Sequence, residues 1–300
     1  MDITAALARL GGAARWDELV GRGVTEWALS RARADGRVVS PVRGTYALPG
    51  ADAAQVAAAA LRGQITCVSA CALWRIRQLE PPQGVHIAVP DNRHVADHRL
   101  ASLGLPGIHR GLPWSEGERV ASLEQALDAS ALCTTPLQQL VMVDAALEAR
   151  LVNRDAVSDF RCGTARRRRW LSHTANGGAM SVSESVARAT LVAAGFQPRV
   201  QVPRKGVGAL DLAVGKRHFV EVDGFEEHSK WTQFSKDRRR DREVSAARDW
   251  TLRYTYWDVV EDPRWFARDV SRIIRVPVSP RFEARIVWLT ALPSTALNRI

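Results

Sequence analysis

A mixed α+β fold built from more than one unit is what this sequence predicts, and three observations lead there. The chain has 300 residues, enough for two or three cores. Its first fifty residues read as three short helices followed by two β-runs. Residues 181 to 276 read as helix, three strands, helix, strand and helix, the strands showing apolar alternation of period two.

The bulk composition narrows the partners. Hydrophobic residues make up 46% of the chain and charged residues 25%, as in an ordinary globular protein, and no apolar run is long enough for a membrane span. The opening MDITAALARLGG has a helical pattern and no basic lead-in, so the expected location is the cytoplasm, away from membranes. A net charge of +10 favours a polyanion, with DNA as the first expectation. Nearly all of that charge is arginine, which GC-rich coding also enriches. The cysteines Cys67, Cys71, Cys133 and Cys162 include one C-x3-C pair but no histidine at finger spacing, and read as buried free thiols.

Residues 3–12 and 15–22 read as two helices, and a third starts near Thr25 and stops at Gly36. Arg37 to Ser40 and Gly44 to Leu48 are two β-runs joined by Pro-Val-Arg. That order is the layout of a winged helix, occupying residues 1–50. It sets Arg31 and Arg33 on the exposed side of a recognition helix and Arg43 at the wing tip, where they could reach phosphates or base edges. A merely solvated helix face is the alternative.

Residues 51–164 read as a mostly helical middle domain with one clear strand, GVHIAVP. His94 and His98 have the spacing of two ligands on a helix, but they follow Pro90 in a polar stretch and read as surface histidines. This front half, through ALSRARADGRVVSPVRGTYALPG, GVHIAVP and LVMVDAALEARLV, resembles the AbiEi-type abortive-infection antitoxins. The resemblance implies a DNA-binding front end. Residues 165–180 read as a basic linker, with Arg166, Arg167, Arg168 and Arg169 ahead of a flexible ANGG break. The arginines are either a solvated helix end or a phosphate clamp.

The chemistry concentrates in residues 181–276. FVEVD alternates Val220 and Val222 with Glu221 and Asp223, which sets two carboxylates on one side of a strand. Like charges so close need a cation or a proton between them. Asp211 interrupts the preceding strand in the same way. If the intervening hairpin is centred on Lys216, with Gly215 supplying a positive φ, Asp211 faces Glu221 while Leu210, Leu212, Val220 and Val222 point into a core. Three carboxylates then converge, a site for a hard divalent cation such as Mg²⁺ or Mn²⁺. Glu184 is a fourth candidate, although Ser181 to Glu184 also spells a capping box.

An acid on a helix, Asp on one strand and Glu-x-charged on the next form the PD-(D/E)xK pattern. More closely, the half resembles the Vsr-like (very-short-patch-repair-type) endonuclease domains, carried by Ser183, Glu184, Gln201, Asp211, VEVDG, His228, Asp237, Arg240, Asp241, Arg253 and WDVVEDP. The resemblance implies a restriction-endonuclease-like domain with a central mixed sheet flanked by helices. It also implies hydrolysis of a DNA phosphodiester, with Asp211 and Glu221 as metal ligands and Glu184 and Asp223 as direct or water-mediated partners. Asp223 stands where the wider superfamily often carries lysine, so His228 becomes the candidate general base or leaving-group acid. Arg240 is expected near the scissile phosphate, with Arg238 and Arg239 toward DNA. The zinc cysteines of the mismatch-repair members have no counterpart, so mismatch specificity does not transfer.

The expected activity is a metal-dependent endonuclease targeted by a winged helix, serving phage defence or a restriction-like role. The alternative is a transcriptional regulator or antitoxin whose nuclease-like domain no longer cuts, and RNA cleavage would use the same metal chemistry. Double-strand cleavage needs two sites, which makes a homodimer attractive. The tail, residues 277–300, lies outside the resemblance and could pack on either domain or form an interface.

Overall fold

The computed structural model describes residues 2–96, 101–105, 108–113, 117–204, 206–223, 246 and 248–293. Helices and strands are mixed along the chain, as the sequence predicts.

The first unit runs α1 (Ile3–Arg9), β1 (Ala13–Arg15), α2 (Trp16–Val20), α3 (Glu26–Ala34), β2 (Val39–Val42) and β3 (Thr45–Ala47). Thr25 caps α3 by accepting from the Ala28 N–H, and Gly36 leaves it at φ 68°. The first two helices are shorter than expected because Gly11 and Gly12 take φ 79° and 95°, which ends α1 and admits a strand. That strand pairs antiparallel with β3, giving the sheet order β1-β3-β2. The result keeps the helix and hairpin order expected of a winged helix, with its own core of Ile3, Leu7, Leu19, Val24, Leu29 and Val38.

The middle comprises α4 (Ala53–Leu61), β4 (Gln64–Ile65), α5 (Cys67–Leu73), β5 (Ile87–Ala88), β6 (Ile108–His109), α6 (Leu123–Ala129), α7 (Pro136–Glu148) and α8 (Arg154–Ser158). Its three two-residue strands form one sheet, in the order β4-β5-β6. Thr135 and Gln138 make a reciprocal capping box at the start of α7, with Pro136 in the first turn.

The expected basic linker is a helix, α9 (Ala165–Thr174), capped by Thr164. Nor is ANGG a loose break. Asn176 N–H donates to Asp144 Oδ1 at 2.7 Å, and a Cβ on Gly178 would lie 2.4 Å from Val200. Close packing, rather than flexibility, requires the glycine there.

After it come α10 (Val182–Ala194), β7 (Arg199–Arg204), β8 (Gly208–Ala213), β9 (His218–Asp223), β10 (Trp250–Thr255), α11 (Tyr256–Val260), α12 (Pro263–Ile274) and α13 (Phe282–Thr290). The sheet order is β10-β9-β8-β7, with β10 parallel to β9 and the other pairs antiparallel. The polar helix expected between β9 and β10 falls almost wholly outside the described residues.

One core joins the middle and the four-stranded sheet. Leu127 and Leu140 share it with Leu191, Leu212, Val220, Phe266 and Phe282. A buried ion pair, Arg188 Nη2 to Asp144 Oδ2 at 2.5 Å, ties α10 to α7, and Arg188 also donates to the Thr174 carbonyl. The tail beyond Val276 contributes α13, whose Phe282, Ile286 and Leu289 are buried in the same core.

Candidate functional site

The ladder between β8 and β9 pairs Leu212 with Val220 and Ala213 with Phe219. The ladder ends there; continued by one residue, the same register, centred on Lys216 as expected, would bring Asp211 to Glu221, and the Asp211 side chain reaches the neighbouring Val222 N–H. Gly215 in the turn has φ 87°. On the far side of β9, the parallel register pairs Glu221 with Arg253. On the near side, Gln201 falls between the Val200–Leu212 and Val202–Leu210 pairs, opposite Asp211. Gln201, Asp211, Glu221 and Arg253 therefore form one row across four strands.

Each carboxylate is held. Asp211 Oδ2 accepts from the Val222 N–H at 3.1 Å, and Glu221 Oε2 lies 3.3 Å from Arg253 Nε. Glu184 Oε2 accepts from Gln201 Nε2 at 3.1 Å and from the Met180 N–H at 3.0 Å. Glu184 and Glu221 are both only 7% exposed, so these bonds offset a large desolvation cost. Ser181 does cap α10 by accepting from the Glu184 N–H. The Glu184 carboxylate, however, turns to Met180 and Gln201, so the capping box is only half made and the acid joins the row.

Gln201 sits at φ 46°, in the left-handed region. A bulky residue held there inside a strand marks an interruption that re-aims its side chain. Beyond it Leu210 departs from expectation. Leu212, Val220 and Val222 enter the main core, but Leu210 and its partner Val202 join a small cluster with Ala213 and Phe219. Asp223 is exposed at the end of β9, opposite Thr255.

The donor set consists of carboxylate oxygens alone. That chemistry suits Mg²⁺ or Mn²⁺ and disfavours soft metals. Among the described residues the one group of three or more possible ligands close enough to share an ion lies elsewhere, so Glu184, Asp211 and Glu221 are neighbours in the row rather than a formed cage. His228, Arg238, Arg239 and Arg240 lie outside the described residues.

The arginines expected at DNA divide. Arg31, Arg33 and Arg43 are exposed, and the Arg31 guanidinium lies 5.4 Å from the centre of the Trp27 ring. Trp27 itself is 69% exposed, an apolar surface that no sequence pattern singles out. Within α9, Arg169 is exposed and Arg166 stacks on Trp288 at 4.5 Å. Arg168 donates to the Arg161 and Gly163 carbonyls. Arg167 is a correction. It is buried, with bonds to Gln139 Oε1 and to the carbonyls of Ala131, Thr134 and Thr135, and cannot reach a phosphate. Its place one turn into an amphipathic helix, facing α7, explains the burial.

All four cysteines are free as expected, Cys67 and Cys71 buried and Cys133 and Cys162 half-buried. Cys67, His86, His109 and Cys133 lie together, although they are far apart in sequence. Hydrogen bonding from Cys67 pulls the Cys133 thiol well below its ordinary range despite its burial, with His109 and His86 adding to the effect. Burial pushes Cys67 up, and burial raises Cys71, outside the cluster, to about 12. Burial also lowers Arg167 to about 10, opposed by the attraction of Cys67 and Cys133.

No protein-family model matches this chain, and no curated protein does. Among solved structures it is similar to the RV2827C protein from Mycobacterium tuberculosis, 19% identical, covering 63% of this chain and 74% of that one at a TM-score of 0.30. A likeness of that size assigns neither fold nor function.

Proposed function

We propose that this chain is a metal-dependent DNA endonuclease whose winged-helix unit brings it to its substrate, in a phage-defence or restriction-like role. One observation carries the reading: the Asp211 carboxylate accepts from the N–H of Val222, next to Glu221, in a polar row that Gln201 extends to the buried acid Glu184. Helix, three antiparallel strands and a fourth strand parallel to the third give that row its frame.

In this reading Asp211 and Glu221 hold the cation, with Glu184 beside them. A bound Mg²⁺ supplies an acidified water and neutralises charge growing on the phosphoryl oxygens. Gln201 and Arg253 fix the carboxylates so that little reorganisation is needed when substrate arrives. Arg31, Arg33 and Arg43 supply phosphate contacts on the front unit, and Arg169 adds a further exposed charge. His228 is the proposed proton-transfer group, and Arg240 the proposed contact to the scissile phosphate.

The test is plasmid DNA incubated with Mg²⁺ or Mn²⁺, beside Asp211→Asn and Glu221→Gln. Nicking by the natural sequence alone supports the enzyme. Binding without nicking sinks it, leaving the second reading, a DNA-binding regulator or antitoxin. The feature that favours that second reading is the Glu221–Arg253 ion pair, which already neutralises one acid of the row. Among the described residues no helix is long and apolar enough to cross a membrane.

A further inference from the structure

The geometry points to a structural zinc site in the middle of the chain, held by Cys67, His86, His109 and Cys133. It is independent of the carboxylate row and of the nuclease reading.

The ligand atoms of these four side chains all lie within 4.8 Å of one another. His86 Nδ1 is 3.1 Å from His109 Nε2, and Cys133 Sγ is 3.3 Å from the same His109 nitrogen. Zinc bonds of about 2.0–2.1 Å to nitrogen and about 2.3 Å to sulfur, at tetrahedral angles, set N···N near ~3.3 Å and S···N near ~3.5 Å. The observed separations are close to the edges of that tetrahedron. Two thiolates and two imidazoles select zinc among the common ions, and they exclude the hard cations that suit the carboxylates. Zn²⁺ with two thiolates and two neutral imidazoles carries no net charge, so the complex can be buried where a bare ion could not. Four protein ligands leave no open position, which makes the site structural rather than catalytic.

The surroundings are built for it. Cys67 holds φ 53°, a left-handed conformation that is costly for a residue with a Cβ, at the first position of α5. His109 lies on β6, His86 immediately precedes β5, and Thr66 N–H pairs with the His86 carbonyl at 3.0 Å. Arg167 clasps the Ala131, Thr134 and Thr135 carbonyls and so fixes the turn that carries Cys133. The sheet of β4, β5 and β6 consists of two-residue strands. So short a ladder gains much from a cross-link joining the loops and helices around it.

The test uses the full chain, purified without added chelator, and measures zinc by mass spectrometry. Stoichiometric zinc is expected, falling roughly tenfold or more in Cys133→Ser and His109→Ala. It should be retained in Cys71→Ser, Cys162→Ser and Asp211→Asn. Should the ligand variants prove insoluble, cobalt exchange into the unaltered chain carries the test, since tetrahedral cobalt thiolate gives intense visible bands. A zinc-free chain that takes up cobalt without those bands overturns the site, as does a Cys67–Cys133 disulfide in protein prepared under reducing conditions. Loss of zinc in Asp211→Asn would place the metal in the carboxylate row instead, and would equally overturn it.

Discussion

Gln201 donates its side-chain amide to Glu184, Nε2 to Oε2 at 3.1 Å, from a backbone held at φ 46°. The bond links a strained strand position to a buried acid, and the two effects are separable. Gln201→Ala keeps the strain and loses a hydrogen bond to a carboxylate, a loss of about 1.5–3 kcal/mol. Gln201→Gly loses the same bond but removes the left-handed penalty, recovering about 1 kcal/mol. Urea denaturation of both variants checks this ordering; alanine as stable as glycine would contradict it.

The acids should tolerate isosteric neutralisation far better in folding than in catalysis. Asp211→Asn can still accept from the Val222 N–H, so its unfolding midpoint should stay near that of the natural sequence. Loss of a metal ligand should nevertheless cut Mg²⁺-dependent nicking by roughly 100-fold or more, beyond the effect usual for residues that only support a ligand. Initial nicking rates beside far-ultraviolet circular dichroism measure the two effects together. A variant that nicks normally would remove Asp211 from the site.

Arg167 and Arg169 sit two residues apart in one run of four arginines and should behave as opposites. Truncating Arg167 to alanine strands Gln139 and three carbonyls in the core, at a cost of about 1–3 kcal/mol for each group left unsatisfied. Arg169→Ala should change stability by less than about 0.5 kcal/mol. Thermal denaturation decides it, and equal shifts would mean that the buried hydrogen bonds contribute little.

The front unit should dominate the ionic part of DNA affinity. Arg31→Ala and Arg43→Ala should each remove one neutralised phosphate, flattening the dependence of log affinity on log salt by about 0.9. Anisotropy of a labelled duplex over a salt titration reads that slope. An unchanged slope in the double variant would remove the front unit from the proposed DNA contact.

Much of the carboxylate row was legible because it is local. A hairpin of odd length centred on Lys216 dictates that Asp211 meets Glu221, and period-two alternation assigns their faces. Glu184 was only half legible. The same S-x-x-E string serves a cap and a buried acid, and the choice is made by Gln201, whose left-handed turn no residue pattern announces. Arg167 was hidden by its neighbours, since four arginines in sequence read as a solvated helix end or a phosphate clamp, exposed in either case, until the helix phase sets one of them against α7. The Cys and His cluster was illegible for another reason: its members come from separate elements, so no spacing between them carries information.

The two seams of this protein differ in kind. The front unit meets the rest through two ion pairs, the half-buried Arg119 to Glu18 at 2.5 Å and the exposed Arg62 to Asp17 at 2.6 Å, and through a small patch around Ala13, Ala47 and Ala59. Past Ala54 a single core continues to Leu289. Exchanging the front unit would therefore disturb a few ion pairs and a small apolar patch. A cut inside the shared core would strand half of it on either side, so the front unit is the only part whose removal leaves the remaining core whole among the described residues.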